Sequence, residues 1–109
     1  MSWHVFEASL DLIRCLRPLV ERIALADAAL ANQVRRVASS VPLNLSEGRR
    51  RVGRDRAHHW RIAAGSAEEV QAALRTAEAW GHLDNAALPE ALALLDRILA
   101  MTWKMTHGN

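Results

Sequence analysis

Apolar positions recur at steps of three and four along most of the chain, and no stretch shows the strict alternation of a half-buried strand. Over residues 3–25, Phe6, Leu10, Ile13, Leu16, Val20 and Ile23 predict a core-facing helix with Pro18 inside it. A proline there removes a backbone donor and predicts a kink near residues 14–17. Asp27 has the short acceptor side chain of an N-cap and predicts the start of a second helix over 28–48. Leu30, Val34, Val37, Val41 and Leu45 form its apolar strip. Pro42 predicts a second bend just before Asn44, freeing the Ala38 carbonyl for a polar side chain or water. Val52 and Gly53 read as the connection, and Asp55 complements the dipole near the start of a third helix over 54–80. Trp60, Ala63, Ala67, Val70, Leu74 and Ala77 give that helix a narrow seam, which Gly81 ends. The run Ala63 to Ala67 is so small that it predicts the tightest helix crossing near Gly65. A fourth helix over 87–105 carries Pro89 in its first turn and Leu88, Leu92, Leu95, Leu99 and Thr102 on one face. Leu94, Ile98, Met101 and Met105 widen that face and point to an intermolecular contact.

Four amphipathic helices joined by short connections predict an all-α, up-and-down antiparallel four-helix bundle, a single domain over residues 1–109. With Gly at five positions and Pro at three, strong helix formers dominate the composition. No window of about 20 apolar residues supports a membrane span, and no charged-apolar-small leader opens the chain, so the expected compartment is the cytoplasm. The single cysteine, Cys15, lies among Leu12, Ile13 and Leu16 and reads as a small core hydrophobe without a disulfide partner.

Charge changes the picture more than composition does. The formal net charge is +2, yet residues 49–61 hold six arginines against Asp55, a local +5 that leaves about −3 for the rest. Just before this run, Gln33, Arg36, Ser40, Asn44 and Glu47 fall on one strip of the second helix, roughly 80° wide, beside its apolar strip. These five are the candidate structural polar network, since such groups need partners wherever they are buried. Glu47 is expected to pair with Arg36, three turns earlier, or with an arginine of a neighbouring helix, and Glu68 and Glu69 to be solvated or arginine-paired.

Gln33, Arg35, Arg36, Ser39, Ser40, Pro42, Asn44, Glu47 and Gly48, followed after the arginines by Ile62, Ala63, Gly65, Ser66 and Glu69, resemble a known signature. It is that of the four-helix-bundle family of 23S rRNA intervening sequence proteins, read approximately as Q-x-R-R-A-x-x-S-[IV]-x-x-N-[IL]-x-E-G, an arginine-rich turn, then I-A-x-G-S-x-x-E. This chain differs in Val37, where alanine is usual, and in a connection after Gly48 that is a residue shorter than the commonest form. The resemblance implies a ring-like homo-oligomer, with pentameric barrels the known arrangement, and no established enzymatic activity. A related branch, the accessory variability proteins of diversity-generating retroelements, forms basic pentamers that bind a reverse transcriptase and nucleic acid. A reverse transcriptase is thus one candidate protein partner rather than an implied one, since those relatives spread positive charge widely where this chain concentrates it.

Arg49, Arg50, Arg51, Arg54, Arg56 and Arg61 are the candidate nucleic-acid contacts, because guanidinium groups along a helix end can track the phosphates of RNA or DNA without reading sequence. The alternative is a protein-interaction scaffold in which the same arginines form salt bridges to a neighbouring subunit or an acidic partner. Trp60 is expected in the core rather than under a nucleic-acid base. His58 and His59 diverge by about 100° on a helix and do not share a metal in the usual spacing. His4, His82 and His107 near helix ends are expected to be exposed or to cap carbonyls. Gly48, Gly53 and Gly65 are isolated and follow no strand, so no phosphate loop is present; the expectation is no cofactor, no metal and no catalysis.

Overall fold

Helix boundaries in the computed structural model, which describes residues 3–107, agree with the sequence expectation to within two residues: α1 His4–Ala26, α2 Ala28–Arg49, α3 Gly53–Ala79 and α4 Pro89–His107, the last preceded by a 3₁₀ turn at Asn85–Ala87. Asp27 makes the first reversal alone. Its backbone N–H closes α1 on the Ile23 carbonyl at 2.7 Å, and its carboxylate accepts from the Leu30 N–H at 3.0 Å to open α2. Gly81, at φ 83°, ends α3; its N–H donates to the Glu78 carbonyl and the His82 N–H reaches the Ala77 carbonyl at 2.8 Å.

Each helix packs on its neighbours in sequence, and α4 closes on α1, giving an antiparallel four-helix bundle of 42 × 23 × 22 Å with one buried apolar cluster. The predicted strips of α2 and α3 face this core: Val34, Val41 and Leu45 meet Ala63, Ala67, Val70 and Leu74 with no exposure. The strips of α1 and α4 require correction. Leu16, Val20 and Ile23 on the first strip and Leu88, Leu95 and Thr102 on the last are buried as predicted, but Val5, Leu12 and Leu19 are buried where Phe6, Leu10 and Ile13 are only partly so, and Ala91 and Ile98 face inward where Leu92 and Leu99 are partly buried. Both helices carry two adjacent apolar strips, and periodicity alone does not choose between them; the bundle axis does. Ile98 is thus core, and Leu94, Met101 and Met105 pack partly against the core, which removes most of the apolar excess that pointed to an intermolecular contact on α4.

The close crossing is not at Gly65. Gly65 is exposed, and a Cβ there would meet nothing within 4 Å. Small residues bring helices together only where they face a neighbour, and here Ala63 and Ala67 do so while Gly65 points outward. The tight point is Gly48, where a Cβ would stand 2.5 Å from the Trp60 ring and 3.1 Å from the Arg56 carbonyl. Pro18 and Pro42 lie inside helices that continue through them. Asn44 donates to the Ser40 carbonyl at 3.0 Å rather than to that of Ala38. Among the described residues, no helix is long and apolar enough to cross a membrane.

Candidate nucleic-acid interface

A ladder of polar contacts runs along the seam between α2 and α3 and positions the arginine end. Gln33 Nε2 donates to Glu69 Oε2 at 2.9 Å near the far end. Nearer the arginines, Ser66 Oγ donates to Ser40 Oγ at 2.8 Å, and Asn44 Nδ2 donates to that same hydroxyl at 3.0 Å. With the Asn44 amide nitrogen turned to Ser40, its Oδ1 faces His59 at 3.1 Å, so Nδ1 of the imidazole carries the hydrogen. Trp60 Nε1 then donates to the Leu45 carbonyl at 3.2 Å. The polar strip therefore acts as a matched register between two helices, because each partly buried donor finds its acceptor only at one axial position.

Of the five residues expected in this network, Gln33, Ser40 and Asn44 join it directly, whereas Arg36 is exposed and makes no ion pair among the described residues. Glu47 does not pair with Arg36. It accepts from Arg51 at 2.9 Å, four residues on, and Arg51 also donates to Asp55 at 2.8 Å. The chain turns sharply after α2, which brings a residue just beyond the helix closer than one three turns back. His59, Ser66 and Glu69 complete the ladder. Ser66 and Glu69 belong to the signature already quoted, whereas His59 carried no such signal, and which residue each meets depends on the register of α3 against α2, which periodicity does not supply.

The six arginines separate into two groups. Arg51 is neutralised by Glu47 and Asp55 and links the end of α2 to the first turn of α3. Arg56 donates to the carbonyls of Gly48 at 3.2 Å and Arg49 at 3.1 Å, capping the last turn of α2, and its guanidinium lies 5.4 Å from the Trp60 ring centre. Arg49 lies 4.9 Å over the ring of Trp3, which in turn packs against Trp60 and Phe6. Arg49, Arg50, Arg54 and Arg61 are exposed, and none forms an ion pair among the described residues.

The hydrogen bond and charge of Arg51 hold the Glu47 carboxyl below its ordinary value. A carboxyl depressed in the folded state contributes stability at pH above that ordinary value of 4.5, and the contribution is lost as pH falls through the lower folded value. The difference in melting temperature between wild type and Glu47→Gln is therefore expected to shrink as pH is lowered from neutral to about 3. A difference independent of pH would show that the pair contributes nothing through its charge. At Cys15 the shift is upward, because burial and the nearby Glu90 carboxylate both disfavour the thiolate.

Two grooves lie elsewhere on the surface. One of about 300 Å³ between α1 and α2 has Leu16, Val20 and Val34 at its floor, and one of about 550 Å³ between α1 and α4 includes Cys15 and Glu90; neither includes a residue from 49–61. Among the described residues no three His, Cys, Asp or Glu side chains group as metal ligands would. The arginines thus stand on the open end of the bundle, outside both grooves.

The protein is thus an antiparallel four-helix bundle with a cationic end. The family model described as 23S rRNA-intervening sequence protein matches residues 4–104, and the chain belongs to that family. Among solved structures it is similar to a protein of unknown function from the S23 ribosomal protein family of Bacteroides thetaiotaomicron, with a TM-score of 0.83 and 17% identity over 94% of this chain and 98% of that one. At that identity the likeness concerns the fold. A comparison with curated proteins gives no match.

Proposed function

We propose that the protein is a non-catalytic, cytoplasmic helical bundle that assembles into a ring-like homo-oligomer, pentameric as the family resemblance implies, and binds RNA or DNA nonspecifically through its arginine end. The observation that carries this reading is the division of the arginines. After Arg51 and Arg56 are committed to the fold, Arg49, Arg50, Arg54 and Arg61 remain exposed and without carboxylate partners among the described residues. An unpaired guanidinium cluster gains by displacing counterions from phosphates, and repetition around a ring multiplies its field. Replacing Arg49, Arg50 and Arg54 together by alanine is expected to weaken retention of oligonucleotides at low salt by at least about tenfold. The slope of log K against log salt should fall in magnitude by about 2 to 3. If the wild type binds neither RNA nor DNA at low salt, or the triple variant binds as well, the reading is wrong.

Leu43, 67% exposed, and Ile62, 37% exposed, support self-association. The Ser40–Ser66 and Asn44–His59 contacts bracket them, so the two stand level on the outer side of α2 and α3 near the open space at Gly65. Leu43→Glu is expected to lower the sedimenting mass while leaving far-ultraviolet helicity unchanged; an unaltered mass would exclude this face from the interface.

A second reading, a protein-interaction scaffold, is favoured by the opposite end of the bundle, where Glu21, Asp27, Glu78 and Asp84 outnumber Arg22 and Arg75. Arginines of one subunit would then meet carboxylates of another, or of an acidic partner such as a reverse transcriptase surface. Under this reading the triple arginine variant changes oligomeric mass or partner capture, and the wild type retains no oligonucleotide.

A further inference from the structure

The antiparallel topology gathers at one end groups that are far apart in sequence. The start of α1, the end of α2, the start of α3 and the end of α4 lie at one end, so Trp3, Trp60 and Trp103 share it with Arg49, Arg50, Arg54 and the only lysine, Lys104; Trp3 there touches both Trp60 and Arg49. The fourth tryptophan, Trp80, is 72% exposed at the other end, among the carboxylates. Trp60 is committed to the Leu45 carbonyl and the Arg56 guanidinium, and Trp3 is half-buried beneath Arg49. Trp103 differs from both. It is 61% exposed, and one side of its indole is stacked on the His107 ring at 4.5 Å with 8° between planes.

We infer that this end selects single-stranded nucleic acid, with Trp103 as the base-stacking surface and Arg49, Arg50, Arg54 and Lys104 as phosphate contacts. The inference rests on the nucleic-acid reading above and adds the class of strand. A duplex presents phosphates to the arginines but keeps its bases stacked inside, so an exposed indole gains nothing from it. An unpaired base can extend the His107–Trp103 stack by one ring while its phosphates lie over neighbouring cations. The end they share is 23 × 22 Å across, a width that a single strand on the order of 4 nucleotides or more can span.

The test uses the full-length protein, short deoxythymidine and uridine oligomers, and a hairpin duplex, all at one low salt concentration. Wild type is expected to bind both single-stranded oligomers more tightly than the duplex, with quenching of tryptophan emission. Trp103→Ala should weaken single-strand binding roughly tenfold to a hundredfold and remove most of the quenching, with duplex binding unchanged. Trp103→Phe should keep most of the single-strand affinity, and Trp80→Ala should alter neither affinity. Equal binding of single strand and duplex, with Trp103→Ala changing neither, would overturn the stacking site and leave the arginine reading intact. Absence of binding to every oligomer would overturn both. A loss of single-strand and duplex affinity together in Trp103→Ala, with helicity retained, would also count against stacking, as would a Trp103→Phe variant as weak as Trp103→Ala.

Discussion

Gly48→Val is expected to lower the melting temperature by roughly 5 to 20 °C, the span that about 1 to 3 kcal/mol of overpacking produces in a domain near this size. A side chain at this position meets the five-membered part of the Trp60 indole at 2.5 Å and the Arg56 carbonyl at 3.1 Å. Neither yields readily. The indole is held by its hydrogen bond to the Leu45 carbonyl and by its contact with Trp3, and the carbonyl belongs to the backbone of α3. Even alanine, which gains about 1 kcal/mol of helix propensity over glycine, should be net destabilising here. Gly65→Ala makes the opposite case. Open space surrounds that Cβ, so the propensity gain stands alone and the melting temperature should rise by a few degrees. Thermal melts of the two variants side by side check both; an unchanged melting temperature for Gly48→Val would mean that Trp60 moves aside freely and that α2 and α3 are not locked at this point.

Arg56→Ala should cost about 1 to 3 kcal/mol, whereas Arg50→Ala and Arg54→Ala should each stay within about 0.5 kcal/mol of wild type. Arg56 satisfies two carbonyls at the end of α2 and places positive charge at the negative end of that helix's dipole, over an aromatic ring. Arg56→Lys should rescue little, since one ammonium on a flexible stem does not reproduce a planar fork that reaches two acceptors and stacks on Trp60. Arg50 and Arg54 extend into solvent, where removing a charge among like charges costs little. The measurement is thermal or urea unfolding at a fixed salt concentration. Equal stability of the Arg56→Ala and Arg54→Ala proteins would erase the division between structural and available arginines.

The sequence was legible where one local signal had one geometric solution. Asp27 was readable as an N-cap because a short carboxylate before an apolar-periodic run has few better uses, and it does accept from the Leu30 N–H. Gly81 was readable as a stop because the left-handed φ it adopts is costly for any side chain. On α1 and α4, two apolar strips lay side by side, and the choice of Leu12 and Ile98 over Phe6 and Leu92 came from the neighbours of each helix. Gly65 was misread because smallness was visible and direction was not. The signature residues from Gln33 to Glu69 were legible as a pattern, and the family model matches residues 4–104, yet the pairing of those residues was not legible. Ser40 with Ser66 and Asn44 with His59 depend on the axial register of two helices, which no residue encodes by itself.

Alone, the sequence determined the helices, their ends and the antiparallel path, because capping, periodicity and short connections are local properties that act over a few residues. The arginine run was local as well, and so was its excess charge. What only the tertiary structure decided was how that run is used. The turn after α2 brings Glu47 and Asp55 onto Arg51, and the approach of α3 at Gly48 sets Arg56 over the exposed carbonyls. Four helix ends lie at one end of the bundle, which Trp103 and Lys104 share with the arginines left over. Contact requires groups to arrive within a few ångströms, and Arg49 reaches 4.9 Å from the ring centre of Trp3, far from it in sequence, only because the packed bundle brings α1 and α2 together there.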